Sequence, residues 1–231
     1  MAKSSIEWTQ LTWNPTSGCN KVTKECKFCY AEIMHRRLKA MGQKKYSADF
    51  LDGAKEYEPH LEYPCTIKKA STFFVNSMSD LFHVDISDEY IQRVFKIMND
   101  TPRHTYQILT KREDNLLRMS SKLNWTDNIW MGVSVGINQA KQRIDKLRQT
   151  DAKIKFLSCE PLIEDLGTIN LKGIDWVIVG GESGHKRRPF DCDWARNIQQ
   201  QCKENKVAFF MKQVDKIIPI PNDLNVKQYP L

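Results

Sequence analysis

The chain has 231 residues, of which 41% are hydrophobic, so it can form one large domain or two small ones with a substantial core. No segment approaches the roughly 18 apolar residues that a membrane-spanning helix needs, and residues 1–5 lack the apolar region of a secretory signal. We therefore expect a cytoplasmic protein without membrane contact. The formal net charge of +7 at pH 7 favours an anionic partner such as nucleic acid.

The first apolar segment, residues 6–13, predicts a strand that ends at Pro15, because proline lacks the N–H that a sheet needs. Directly after it, Cys19, Cys26 and Cys29 place three of the seven cysteines within eleven positions. Thiolate is a soft ligand, so three of them this close favour zinc or an iron-sulfur centre. A disulfide fits worse, because three is an odd number and nothing indicates export. The other four are expected to be core or surface thiols: Cys65, Cys159, Cys192 and Cys202.

A helix is expected from Tyr30 to about Gly42, since apolar residues recur there at helical spacing. His35 could complete a zinc site with the three cysteines, but its position among the cationic residues favours exposure to solvent. Residues 43–69 show no sustained period, and we interpret them as an ordered flap because they are rich in aromatic residues. The apolar stripe of the helix is expected to contain Ile33, Met34, Leu38 and Met41.

From residue 72 onwards strands and helices alternate, which predicts parallel pairing with right-handed crossovers. The further strands are expected at residues 72–76, 105–110, 129–135, 154–158, 176–179 and 207–211. The helices are expected at residues 85–98, 113–120, 138–148 with Asn138 as cap, and 194–203 with Asp193 as cap. The fold class is therefore α/β, with about six to seven parallel strands in an open or partial (β/α) barrel, and residues 214–231 form an irregular tail on the barrel.

Polar residues follow most of these strands, at the carboxyl ends where barrels of this kind carry their active sites. Strand ends also carry polar residues simply because they emerge into water. For Lys111-Arg112 the start of a helix is the simpler explanation. His83, which follows residues 77–80, is a candidate residue of the site, or it only caps a helix or packs in the core. The glycine-rich residues 180–184 could cradle an anion with backbone N–H groups or form a tight turn. The strand-end residues are Asn76, Ser77, Ser79, Asp80, Lys111, Arg112, Ser134, Glu160, Glu182, Ser183, Lys212 and Gln213.

Several motifs spread over nearly the whole chain carry a resemblance to a known family. They are Ile6-Glu7-Trp8-Thr9, Thr12-Trp13-Asn14-Pro15, the three-cysteine loop, residues 77–83, Gly132-Val133-Ser134-Val135, Glu160-Pro161-Leu162, residues 179–184 and Phe209-Phe210-Met211-Lys212-Gln213. Together they resemble the phage-associated three-Cys-motif family, whose members are similar to radical S-adenosylmethionine enzymes. The usual spacing there is C-x3-C-x2-C, with an aromatic residue before the last cysteine. Here the second half is kept, whereas six residues separate Cys19 from Cys26.

The resemblance implies a radical-SAM-like partial barrel whose three cysteines, Cys19, Cys26 and Cys29, hold a 4Fe-4S cluster that binds S-adenosylmethionine at its open iron. It implies that Phe28 packs against the adenine, that Ser134 suits the ribose, and that residues 76–80 receive the methionyl group through Asn76, Ser77, Ser79 and Asp80. Glu160, Glu182 and Lys212 would orient the cofactor or substrate, or move protons.

The implied activity is hydrogen abstraction from an unidentified substrate, such as a nucleic acid or nucleotide, with residues 43–69 as a lid. The implied partners are an electron donor of flavodoxin or ferredoxin type and a separate protein encoded nearby. Two alternatives stay open. One is a non-enzymatic module that binds structural zinc and nucleic acid, and the other is a barrel that becomes active only with its partner protein.

Overall fold

A curled sheet of seven parallel strands forms a half-barrel surrounded by helices. The computed structural model describes residues 4, 6–184 and 186–230. Most of the stretch 1–5, assessed above for a secretory signal, and residue 231 at the end of the tail lie outside the described residues. The strands are β1 (Leu11–Trp13), β2 (Thr16–Ser17), β3 (Lys55–Glu56), β4 (Thr72–Val75), β5 (Thr105–Thr110), β6 (Ile129–Ser134), β7 (Ile154–Cys159), β8 (Trp176–Gly180) and β9 (Ala208–Gln213).

The main sheet runs in the order β1-β4-β5-β6-β7-β8-β9, and every neighbouring pair is parallel. The helices are α1 (Tyr30–Ala40), α2 (Tyr63–Thr66), α3 (Asp88–Asp100), α4 (Glu113–Ser120), α5 (Gln142–Arg148) and α6 (Cys192–Asn205). Short 3-10 helices cover Lys24–Cys26, Lys44–Tyr46, Glu58–His60, Asn138–Ala140 and Asn222–Leu224. The α/β half-barrel expected from the sequence is confirmed. No helix among the described residues is long and apolar enough to cross a membrane.

Successive side chains of each strand alternate between two cores. One set, such as Val133, Val179 and Met211, joins the large core beneath the helices. The other set points into the concave face, where an aromatic cluster fills the lower part of the half-barrel: Trp8, Phe74, Phe156, Trp176, Ile178 and Phe210. Side chains alternate between the two faces along each strand. At the carboxyl ends of the strands, the residues in step with this inner set therefore face the same concavity.

Both edges of the half-barrel are covered. Beside β1, the small antiparallel sheet of β2 and β3 and the flap of residues 43–69 pack over the edge, and Trp13 Nε1 donates to His60 O at 3.0 Å. The flap is ordered and buries Tyr46 and Phe50. Beside β9, the tail pairs with the strand, with Met211 N donating to Val226 O at 2.9 Å.

Several local expectations were wrong. The first strand is only Leu11–Trp13, because the chain turns just before it. Asn138 begins a 3-10 helix and does not cap it, and α6 is capped by Asp191, whose side chain accepts from Asp193 N at 2.9 Å. Both errors concern which residue near a helix start adopts the extended backbone of a cap, which is Ile137 in the first case and Asp191 in the second.

The expected orientation of α1 was also wrong. Ala31, Glu32 and His35 are its buried residues, whereas Ile33 and Met34 are exposed. The flap explains this choice, since the rings of Tyr46 and Phe50 contact His35 edge-on at centroid distances of 5.1 and 5.3 Å. His35 is therefore a core residue, contrary to the expected solvent-exposed position.

Candidate active site

The loop with the three cysteines begins next to the residues that follow β4. Gly18 forms a parallel bridge with Ser79, and Ser79 Oγ donates to Gly18 O at 2.6 Å. Cys19 N donates to Phe50 O at 2.8 Å. Tyr30, the first residue after the loop, donates its hydroxyl to Ser77 O at 2.5 Å. The loop is thus attached at both ends to the carboxyl end of the half-barrel.

A buried charge network fixes the middle of the loop. Glu25 Oε1 accepts from Gly136 N at 2.6 Å, and Glu25 Oε2 lies 2.8 Å from Arg143 Nη1. Arg143 also donates to Ser134 O at 2.7 Å and lies 3.3 Å from Glu113 Oε2. The side chains of Glu25 and Arg143 are 0% and 2% exposed, so this pair is desolvated and strongly constrains the loop.

Sequence reasoning missed this network, although one signal was present. In the expected helix 138–148, Arg143 is three residues from Ala140 and four from Leu147, so it lies on the same face as these buried residues and Ile144. A charged residue on an apolar stripe needs a buried partner. The partner, Glu25, lies 118 residues earlier in the chain, and no local pattern indicates it.

Arg188 holds the other side of the loop. Its guanidinium contacts Glu182 through Nη2 at 2.5 Å and Nε at 3.1 Å, and Nη1 donates to Lys24 O at 3.0 Å. It also lies 5.5 Å from the ring of Phe28. Glu182 is therefore occupied by Arg188, and the two residues connect the segment after β8 to the cysteine loop. The sequence reading singled out Glu182 and missed Arg188.

The three thiols of the loop are free and half-buried. Cys29 is the residue that precedes α1, and Cys19 and Cys29 both pack against the small cluster of Ala31, Tyr46, Phe50 and Met78. Burial raises the pKa of Cys19 to about 12; the charge of Asp80 adds to this, and Arg112 opposes it. Thiols bind metals as thiolates, so loading this site would release protons.

No three His, Cys, Asp or Glu side chains in the described part of the chain are close enough to hold a single metal ion. His35 bonds Ala48 O at 3.0 Å through Nε2 and packs on two rings, so it is committed elsewhere. The donor set that remains is three free thiols on one anchored loop. Thiols of this kind are the ligands of iron-sulfur clusters. The cysteines other than these three are also free, with Cys159 and Cys202 buried, as expected.

Residues 76–80 form a tight loop after β4. Asn76 has a left-handed backbone with φ of 60°, and its buried Nδ2 has no hydrogen-bond partner. Ser77 Oγ donates to Asn14 Oδ1 at 3.1 Å. Asp80 accepts from Thr110 Oγ1 at 2.7 Å and from Lys111 N at 3.0 Å, so its carboxylate ties β4 to β5. Of the residues predicted here, Asn76 has the only unused side-chain donor among those described.

Four further predicted residues line the concave face above the aromatic cluster. Ser134 is fully buried and accepts from Lys111 Nζ at 3.0 Å. Lys212 Nζ lies 3.0 Å from Glu160 Oε1, and both side chains are mostly buried. Burial, Cys29 and Glu160 raise the pKa of the nearby Tyr30 hydroxyl. Glu160 is thus paired with Lys212, whereas Glu182 is held by Arg188, which also contacts Lys24 O of the cysteine loop.

Two glycines of residues 180–184, Gly180 and Gly181, serve close packing. Gly180 and Gly181 are not among the residues with positive φ, so the turn expected to need it is absent. A Cβ at Gly180 would lie 2.7 Å from Glu160 Oε1, and one at Gly181 would collide with Val214 O. Gly180 thus makes room for the Glu160 carboxylate.

His83 lies close to this site but is inaccessible. It is fully buried, its Nδ1 accepts from Asp85 N at 3.2 Å, and its Nε2 has no partner. Burial and the charge of Arg112 lower the pKa of His83. Of the two roles considered for it, the structure supports capping and packing.

Buried polar atoms without a hydrogen-bond partner near this end of the sheet include Thr16 Oγ1, Asn76 Nδ2 and Ser158 Oγ. Ser158 alternates with Leu157 and Cys159 of the large core and therefore faces the concavity. An unpaired buried polar group costs about 1–3 kcal/mol. A polar ligand that reached Asn76 Nδ2 and Ser158 Oγ would satisfy these two atoms, so this end of the sheet fits a bound molecule rich in polar groups.

Comparison with known proteins gives one match. A family model described as "Protein of unknown function (DUF5131)" matches residues 3–224. No curated protein and no solved structure matches the chain. The matched region includes all nine strands, the cysteine loop, and the three residues Glu25, Arg143 and Arg188 that hold it.

Proposed function

Since the chain belongs to the DUF5131 family, whose description assigns no activity, we propose from the site itself that it is a radical S-adenosylmethionine-type iron-sulfur enzyme. One observation carries the proposal. Three free thiols lie on a loop that buried Glu25 and Arg143 hold at the carboxyl end of a parallel half-barrel. A structural zinc staple is unnecessary in a chain with so large a core.

In this proposal Cys19, Cys26 and Cys29 hold a 4Fe-4S cluster and leave one iron for the cofactor. Such a cluster, when bound, would supply the electron for splitting S-adenosylmethionine into methionine and a 5′-deoxyadenosyl group that takes a hydrogen atom from the substrate. The chain's own residues position the reactants and exclude water. Arg143 and Arg188 act on the thiols indirectly, because they fix the loop that carries them.

The cofactor side of the concavity is formed by groups with unused hydrogen-bonding capacity. Asn76 Nδ2 is the side-chain donor available to a carboxylate, and Ser158 Oγ and Ser134 Oγ suit hydroxyl groups. Phe28 offers a ring beside the last cysteine, already in contact with Arg188. Ser79 and Asp80 support this surface by tying the cysteine loop and β5 to β4.

Glu160 and Lys212 form the ion pair that we assign to the substrate side. The pair is mostly buried, with Lys212 Nζ 3.0 Å from Glu160 Oε1, so each charge has a direct partner of opposite sign. A substrate that displaces one partner would meet the other as a fixed charge or a proton donor or acceptor. Lys111 and Lys212 give the concavity cationic groups, which favours an anionic substrate such as a nucleotide or nucleic acid.

We further propose the setting implied by the resemblance to the phage-associated three-Cys-motif family. The enzyme would receive electrons from a flavodoxin or ferredoxin and work beside a separately encoded partner protein. Seven free thiols suit a reducing compartment, for which we propose the cytoplasm.

The test is anaerobic reconstitution with iron and sulfide, followed by assay of S-adenosylmethionine cleavage under dithionite. We expect about four irons per chain, a brown colour that bleaches on reduction, and release of 5′-deoxyadenosine. Cys26→Ser should lose the iron and the cleavage. Cys192→Ser is the matched control, because Cys192 is also free and half-buried but lies at the start of α6. Stoichiometric zinc without iron would reject the proposal.

A further inference from the structure

The outer face of α1 is an apolar surface in the part of the chain that the structure describes. Ile33, Met34 and Met41 lie on it, with exposures of 44%, 42% and 72%. Val22 of the cysteine loop is also exposed. Ile33 and Met34 on the helix and Met41 at its C-cap are exposed apolar residues on one face, and clustered exposed apolar residues mark interaction sites. We call this patch the α1 face.

Positive charge is concentrated around the α1 face. Residues 20–45 contain eight lysines and arginines but only two acidic residues, so this segment carries a net +6 of the chain's +7. Both acidic residues are already used: Glu25 is buried with Arg143, and Glu32 pairs with Lys21 and Arg36. Arg37, in the centre of the stripe, makes no ion pair with any described residue.

Exposed apolar side chains with an arginine among them and further cations around them have the composition of a protein interface, in which Met and Arg are enriched. Nucleic acid offers phosphates to the cations, but most of its apolar base surface is stacked, so it covers the side chains of Ile33 and Met34 less well than a protein does. A protein with acidic groups around an apolar patch satisfies both features, and opposite charges would also speed its encounter with the surface. The partner is therefore an acidic protein.

The position of the α1 face suggests what that protein does. Cys29 immediately precedes α1, and a helix rises about 1.5 Å per residue, so Ile33 is about 6 Å along the axis from Cys29. We propose that the α1 face is the docking site of the acidic one-electron carrier that reduces the cluster. This inference rests on the proposed function, because the carrier needs a cluster to reduce.

The experiment uses a purified bacterial flavodoxin as the probe and the full chain with its reconstituted cluster. Ile33→Ser/Met34→Ser/Arg37→Glu removes the apolar centre and reverses the central charge. Ile217→Ser/Ile218→Ser/Lys203→Glu is the matched control, since these residues are also exposed but lie in the tail and on α6. Two measurements are made for each: flavodoxin affinity by titration calorimetry, and 5′-deoxyadenosine release driven either by reduced flavodoxin or by dithionite.

We expect the α1-face variant to lose about tenfold or more in flavodoxin affinity and in flavodoxin-driven rate, because it removes the centre of the interface. Its dithionite-driven rate and the behaviour of the control should stay within about twofold of wild type, because a small reductant needs no docking surface. Raising the salt concentration should weaken wild-type binding and leave the variant little changed.

An unchanged flavodoxin affinity in the α1-face variant would overturn the inference. So would an equal loss of the dithionite-driven rate, which indicates damage to the site. It would also be overturned if the substitutions instead abolish binding to duplex DNA, to anionic vesicles or to a second copy of the chain, each measured in parallel. The two proposals can fail separately. If the chain binds no cluster, the proposed function is rejected. Calorimetry on the cluster-free chain then still measures whether flavodoxin binds to the α1 face.

Discussion

Replacement of Arg143 by methionine tests the idea that one buried arginine holds the cysteine loop in place. Methionine keeps much of the side chain's apolar length but removes the charge and every donor. It leaves Glu25 and Glu113 as buried carboxylates without their cation, and Ser134 O without a hydrogen-bond donor. The change therefore acts on one charge and leaves the fold's apolar core intact.

The expected loss follows from the burial of the pair. Removal of one partner of a buried ion pair costs about 3–5 kcal/mol, because the remaining charge is uncompensated. The lost bond to Ser134 O adds about 1 kcal/mol. Glu25 keeps its bonds from Gly136 N and Thr23 Oγ1, which reduces the penalty. We expect the free energy of unfolding to fall by about 4 kcal/mol, or Tm by about 8–16 °C for a chain of this length.

The assay is urea unfolding followed by circular dichroism, with amide hydrogen exchange of the cysteine loop as a local readout. Glu25→Gln in the Arg143→Met background should recover about 2 kcal/mol, since it removes one stranded charge. Arg93→Met is the control, because Arg93 pairs with Glu58 at the surface with both side chains about half exposed, and it should cost about 0–1 kcal/mol. A loss for Arg143→Met no larger than for Arg93→Met would refute the reasoning.

Three further predictions concern the surroundings of the loop. Gly136→Ala should lower the free energy of unfolding by about 3 kcal/mol in urea, because the new methyl would collide with the backbone carbonyl of Pro161. Arg188→Met should speed amide exchange of the cysteine loop by about tenfold, because the loop loses its bridge to Glu182. His83→Gln should make stability less sensitive to acid. The folded pKa of His83 lies below its usual value near 6.5, so the wild type loses stability as pH falls below that value.

Each of these has its own control. Gly184→Ala places its methyl in open space, and its unfolding curve should match that of the wild type. Arg196→Met removes surface ion pairs from α6 and should leave exchange in the cysteine loop unchanged. For His83, the measurement is the difference in unfolding free energy between pH 7.5 and pH 5.5. An equal difference in wild type and variant would show that another group carries the acid sensitivity.

The sequence was sufficient for the elements whose signal is local. Runs of apolar residues predicted all seven strands of the half-barrel, and β5 and α4 have the expected bounds. The alternation of strands with helices predicted parallel order, because that connection leaves few alternatives. The three cysteines were equally visible, since their spacing is a property of one short segment. The orientation of α1 could not be predicted from the sequence, because the periodicity of its residues does not specify which side of the helix packs against the flap.

Only the tertiary structure decided how the candidate site is held together. Glu25 and Arg143 are 118 residues apart, and Arg188 and Lys24 are 164 apart. Such pairs depend on the folded path of the chain, so no periodicity or motif contains them. The same applies to Asp80, whose carboxylate ties β4 to β5 through Thr110 Oγ1 and Lys111 N. The residue types and local pattern determined the half-barrel and the thiol loop, whereas long-range packing and desolvated charge determined where that loop sits.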